Sequence, residues 1–328
     1  MKKILFVFLF ALSSAYAIQE GTYYDRPLAA PPPWFTGPLF TPSGHVTPKG
    51  HVNFEPYFFA RNTFGEYNSH WNSHSADTDT LELRSRNILK IGILNRVDFT
   101  IIPQAYYKMK GDESSVQFGD LSTGFDFALI KSNPSLWYPN IRLTLYERFP
   151  TGKYQKGNPK KGTTDLVGRG TFETQVGISS SKLYCIVDRH YLDLRFSVNY
   201  YINPSTHVKG FNSYGGGYGT SGNAHPGNRL TVLLGQEFSL TQRWAIACDF
   251  IYQHHNATHF SGNRGTTTKN GSTPAKVGPP SWEQFSIAPA LEYNFNQHMG
   301  LIGGIWFTVA GRNSTEFVSG VIALNYFQ

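Results

Sequence analysis

Clustered histidines and carboxylates are the first residues in this chain whose types could do chemistry. His70 and His74, followed by Asp77 and Asp79, and the group His254, His255 and His259 have ligand types suited to a metal ion. Histidines four apart converge on one ion only when a helix carries them, and neither stretch reads as helical. Both groups are therefore expected to be solvated loop polars. Gly177-Ile178-Ser179-Ser180-Ser181 approaches the G-x-S-x-G elbow of a serine hydrolase, but it lacks the closing glycine and lies in a strand-like run. Gly215-Gly216-Gly217-Tyr218-Gly219 would need a following helix to cradle phosphate. Pro226 and Asn228 follow instead, so it is expected to be a mobile surface loop. Cys185, expected in a short turn, and Cys248, on an apolar strand face, read as two unpaired thiols. No catalytic centre, metal site or cofactor follows, and the chain is not expected to be an enzyme.

A different pattern does carry information, namely charge placed on every second residue. Glu82, Arg84 and Arg86 recur in this way, as do Asp98, Asp120, Asp126, Arg142, Arg148, Glu173, Asp193, Arg195, Arg229, Glu237, Asp249 and Glu292. Each stands opposite an apolar neighbour. In 191–202, Leu192, Leu194, Phe196, Val198, Tyr200 and Ile202 share one face, and Asp193, Arg195, Ser197 and Asn199 share the other. Only a strand sorts these residues. Similar runs lie at 50–61, 82–93, 97–108, 117–130, 139–149, 170–180, 229–239, 244–255, 282–294, 300–310 and 316–327. That makes twelve candidate strands, each near the ~9–11 residues that a tilted transmembrane strand needs.

Composition agrees. Of 328 residues, 40% are hydrophobic, 15% aromatic and only 16% charged, against about 25% charged in an average chain. Disorder is excluded, because disordered chains are rich in charge and poor in aromatics. No apolar run of roughly 18 residues exists to make a membrane helix. Lys2 and Lys3 precede Ile4–Leu12 and an Ala15-Tyr16-Ala17 site, so 1–17 reads as a signal peptide. Without its two lysines the net charge falls from +7 to +5, and no basic run exceeds Lys160-Lys161, which excludes nucleic acid as a partner.

The expected fold is all-β: a transmembrane antiparallel up-and-down barrel of about twelve strands over 50–328. Longer odd-numbered connections and shorter even-numbered ones match outer-membrane barrels, and an even strand number puts both termini in the periplasm of a diderm bacterium. The charged face then turns inward, because lipid would not accept it. Residues 18–49 form a Pro-rich extension around Pro31-Pro32-Pro33-Trp34-Phe35, long enough to enter the barrel as a plug that offers Trp34 and Phe35 to an apolar or aromatic solute. The last strand, with Val318, Gly320, Ile322, Leu324 and Tyr326 on one face, is similar to the signal that engages the barrel assembly machinery, although Gln328 follows Phe327.

Three short motifs sit within this pattern. Phe118-Gly119-Asp120-Leu121 opens one strand, Phe149-Pro150-Thr151-Gly152-Lys153-Tyr154 closes the next, and Gly168-Arg169-Gly170 begins another. In this order, over residues 80–240, the chain resembles the MetA-pathway-of-phenol-degradation family of outer-membrane barrels. The resemblance implies passage of small aromatic or hydrophobic compounds across the outer membrane and brings no binding residues with it. A channel is the first reading. A structural or surface-binding barrel with long polar loops is the second, and a barrel enzyme the third.

Overall fold

The structure, a computed structural model, describes residues 33–133, 136–187 and 190–328. The signal peptide and the first part of the Pro-rich extension lie outside the described residues.

Twelve antiparallel strands close into a barrel. They are β1 (Val52–Tyr67), β2 (Ser73–Leu94), β3 (Val97–Ile102 continuing as Gln104–Lys110), β4 (Glu113–Phe118 continuing as Leu121–Ile130), β5 (Asn140–Phe149) and β6 (Glu173–Val187). The second half comprises β7 (His190–Ile202), β8 (Arg229–Ser239), β9 (Trp244–His255), β10 (Trp282–Asn296), β11 (Met299–Arg312) and β12 (Thr315–Phe327). Each strand pairs with its sequence neighbour, and β1 closes the ring on β12 with Tyr57 opposite Ala323. No sheet edge is left at the closure, which is the solution that a bilayer demands of strands.

The distribution of side chains is inside out. Phe58, Ile178, Phe196, Ile246, Ile305 and Ile322 stand exposed on the outer wall, whereas Asp98, Asp126, Glu237, Asp249 and Glu292 are fully buried within it. Water would not tolerate the first set, and a packed apolar core would not tolerate the second. A lipid-facing wall around a polar interior accommodates both. Ile305→Arg, on the outer face of β11, is therefore expected to destabilise the barrel by about 2–4 kcal/mol in urea unfolding from liposomes. An unchanged midpoint would place Ile305 away from lipid.

Several connections differ from expectation. The first, expected over 62–81, shrinks to 68–72, because β1 and β2 rise as a hairpin beyond the alternating part. The third shrinks to a turn at 111–112, and Cys185 lies inside β6 rather than in a turn. The Gly-rich segment is ordered. Thr206–Lys209, Ser221–His225 and His259–Asn263 form a separate three-stranded sheet over a cluster of Val208, Tyr214, Ala224, Ala275 and Val277. A Cβ on Gly217 would meet the Thr266 carbonyl oxygen at 2.2 Å, so glycine permits that approach.

The wall has one break. Gly119 bends β4: below it Leu121 pairs with Phe149 of β5, while above it 113–118 pairs only with β3. On the other side β5 stops at Phe149, where Pro150 has no N–H to continue the ladder.

Candidate functional site

The interior is occupied by an extended segment, Pro33 to Lys49. Proline at 38, 42 and 48 keeps it extended, with a local bond from the His45 N–H to Ser43 Oγ at 3.1 Å. Other N–H groups of the segment go to the wall. Thr36 N–H donates to Glu292, Gly37 N–H to Glu237 at 2.9 Å, and Phe40 and Thr41 N–H to Asp249 at 3.1 and 2.8 Å. Gly44 N–H donates to the Ser181 hydroxyl at 3.0 Å and Thr47 N–H to Asp98 at 2.6 Å. Trp34 N–H reaches the Gln242 carbonyl in the β8–β9 turn, so the segment enters at the end of the barrel that holds the start of β1 and returns there at Thr47. A Cβ on Gly235 would lie 2.6 Å from Thr41 Cβ, so β8 needs glycine where the segment passes. Leu39 fills a small apolar cluster with Tyr57, Phe59, Ile88 and Ile302, and Phe40 packs on Trp306 with ring centroids 4.8 Å apart. Trp34 and Phe35 separate: Trp34 stays at the rim, with the Arg243 guanidinium 5.9 Å from its ring, while Phe35 lines the internal cavity.

Of the charged residues anticipated from sequence, Arg86, Asp98, Arg142 and Arg195 line this cavity, and the ion pairs of the interior form two tiers. Beside the segment lie Asp98, Asp126, Asp193, Glu237, Asp249 and Glu292, answered by Lys90, Arg142 and Arg195. Arg142 pairs with Asp126 at 3.4 Å, and Arg195 bridges Asp193 at 2.7 Å and Glu237 at 3.0 Å. Asp98 stands opposite Asp126 in the β3–β4 register, an unfavourable placement that the Thr47 N–H and Arg142 offset. Above the segment the sign reverses. Glu173 alone receives Arg148 at 2.8 Å, Arg169 at 2.9 Å and Arg229 at 3.1 Å. Glu82 pairs with Lys108 at 3.4 Å, and Arg84 donates to Gln104 between the Phe59 and Tyr106 rings. Arg61, Arg169 and Lys108 belong to this tier but escape the sequence list. Arg61 was legible, since it continues the Tyr57–Phe59 face of β1.

The three short motifs meet at the break in the wall. Asp120 accepts the backbone N–H of Gly152 and of Arg169, each at 2.9 Å. Gly152 and Gly168 pack so closely that a Cβ on Gly168 would lie 2.2 Å from the Gly152 oxygen. The Thr164 hydroxyl lies 3.2 Å from that of Ser115 on the part of β4 that lacks β5, so the loop between β5 and β6 packs on the inner face there. In the same loop, burial pushes Asp165 up, but hydrogen bonds from Lys153 and the Asn158 N–H outweigh it and hold the carboxyl below its usual range. Asp120→Ala leaves two inward N–H groups without acceptors, at a cost of about 1–3 kcal/mol. Limited proteolysis should then nick 150–172 faster, and an unaltered digestion pattern would show that Asp120 does not pin the loop.

The histidines are dispersed. His70 lies in the β1–β2 turn, His254 approaches Glu283 at 3.3 Å, His255 stacks on Trp282, and His259 sits in the outer sheet. His74, Asp77 and Asp79 lie along β2 rather than in a loop. Among the described residues no cluster of His, Cys, Asp and Glu could hold a metal ion.

No protein-family model and no curated protein matches the sequence. Among solved structures the chain is similar to an outer membrane channel from Pseudomonas putida F1, with TM-score 0.64 and 13% identity over 87% of this chain and 97% of that one. The translocator domain of the autotransporter NalP from Neisseria meningitidis gives TM-score 0.43 and 10% identity over 84% and 87%. The TodX monoaromatic hydrocarbon channel gives 0.36 and 9% over 85% and 89%. The first of these shares the fold across nearly its whole length, so this chain has the fold of that barrel.

Proposed function

We propose that the chain is an outer-membrane channel for small solutes, with aromatic or hydrophobic compounds preferred, as the resemblance to the MetA-pathway-of-phenol-degradation family implies. The observation that carries this reading is the polar interior. Ion pairs, amides and hydroxyls surround a cavity of 570 Å³ beside the inner segment, inside a wall whose outer face is apolar. A barrel that served only as an anchor would have no use for a hydrated interior of that size. Tyr57 and Tyr201 border this cavity with rings that suit an aromatic solute. In this reading both termini are periplasmic, residues 33–49 act as a plug, and the inward charges line the passage. The C-terminal strand is the part offered to the barrel assembly machinery.

Planar bilayers containing the purified full chain should show discrete conductance steps, and liposomes should swell in small aromatic solutes. Persistent silence in both would leave the surface-binding barrel as the better account. An unboiled sample migrating no differently from a boiled one on a denaturing gel would count against the barrel itself.

A further inference from the structure

Within the internal cavity one cation differs from the rest. Lys90, Arg142 and Arg195 line it and are paired with Glu55, with Asp126, and with Asp193 and Glu237. Arg86 lines it too, yet no carboxylate lies within 4.0 Å of its guanidinium among the described residues. It stands in register with Tyr57 of β1, and Tyr201, from the far wall, borders the same cavity. Gln175 and Asn199 complete that side with amide groups hydrogen-bonded to each other at 2.8 Å. Tyr201 is in turn covered by Arg229, whose guanidinium carbon lies 3.7 Å from the ring centroid.

A guanidinium with no carboxylate in contact, in a partly desolvated cavity that also holds Glu55, gains from an anion that joins it directly. Tyr57 and Tyr201 border the same cavity, and guanidinium and aromatic faces both stack on a flat partner. The cavity of 570 Å³ is large enough for a single-ring solute. We propose that this cavity is a binding site for small aromatic anions, in which Arg86 takes the carboxylate or phenolate and Tyr57 and Tyr201 hold the ring. The proposal rests on the channel reading and narrows its solute class. The cationic upper tier attracts such an anion from the outer mouth.

Titration calorimetry of the full chain in detergent tests this without relying on conduction. The probes are benzoate, the neutral benzyl alcohol and the cationic benzylamine. Benzoate should bind, with the alcohol about tenfold weaker and the amine silent, as expected when one charge-assisted contact is lost. Arg86→Gln should reduce benzoate to the level of the alcohol, while Arg86→Lys should recover part of the difference. Heat-shifted migration of each variant on an unboiled gel controls for folding. Equal binding of benzoate and benzyl alcohol, or undiminished benzoate binding by Arg86→Gln, would overturn the site. Benzoate binding together with silent bilayers would remove the channel reading and leave the site standing.

Discussion

Removal of residues 33–48 is expected to raise single-channel conductance several-fold and to make the pore cation-selective. The segment crosses the interior and offers its backbone N–H groups to Glu292, Glu237, Asp249 and Asp98. Once it is gone, those carboxylates face water around a widened passage. Arg86, Lys90, Arg142 and Arg195 do not balance these together with Asp126, Asp193 and Glu55, and rings of carboxylates favour cations. Twelve strands enclose more space than the side-chain-filled interior of eight, so taking out a chain segment exposes a continuous aqueous path. Reversal potentials under a salt gradient measure the change directly. If the deleted chain conducts and selects as the parent does, the segment is not the barrier. A milder version, Asp249→Asn, keeps an acceptor for Thr41 and lowers the negative charge. Combined with the deletion, it should reduce the cation preference that the deletion creates.

The largest loss of stability should follow Glu173→Gln. Three guanidiniums, from Arg148, Arg169 and Arg229, converge on that one carboxylate within 3.1 Å or less, and the residue is 1% exposed. The amide keeps the shape and removes the charge, leaving three like charges at close quarters in a poorly hydrated place. Removing one partner of a buried ion pair costs about 3–5 kcal/mol, and this site concentrates three pairs. Urea unfolding in liposomes should show a shift of that order. The double variant Glu173→Gln with Arg169→Gln should recover a good part of it, because the repulsion falls with the charge. A fully additive second loss would show that Arg169 is held by something other than Glu173. Where the variant folds, its conductance should lean toward anions, the opposite direction from the deletion.

Most of the barrel was legible in the sequence because lipid and water impose opposite demands on alternate residues. Where that contrast ends, so does the signal. The rising hairpin of β1 and β2 carries Ser-His-Ser-Ala-Asp-Thr-Asp-Thr on its outer part, polar on both faces, since both faces lie beyond the lipid. The three short strands over the barrel mouth fail for the same reason. The inward charges were legible one at a time, but their partners were not. Arg229 reaches Glu173 across 56 positions, and no periodicity encodes that. The inner segment was the hardest part. Beside the packing of Leu39 and Phe40, many of its wall contacts run through backbone N–H groups that any residue but proline possesses, and side-chain identities say little about those.

The break between β4 and β5 means that the cylinder is staved unequally. Over 113–118 the wall has one hydrogen-bonded neighbour instead of two, while Val116 and Phe118 beside it are among the most exposed apolar residues. An unpaired strand edge at lipid depth costs several kcal/mol for each bare backbone group. The Asp120 clamp on Gly152 and Arg169 draws the loop over this seam. The loop thus backs this seam from the inside, where the Thr164 hydroxyl meets that of Ser115 and the Leu166 carbonyl accepts Lys108 Nζ, although no ladder joins it to the wall. Staves locked by ladders can part only by unzipping in order, whereas this loop is tied at one end to Asp120 and along 154–157 by backbone hydrogen bonds to 209–213 of the outer segment. Mechanical stress on the barrel, from lateral membrane pressure or from hydrophobic mismatch, would therefore pass at this line from the wall into the outer segment.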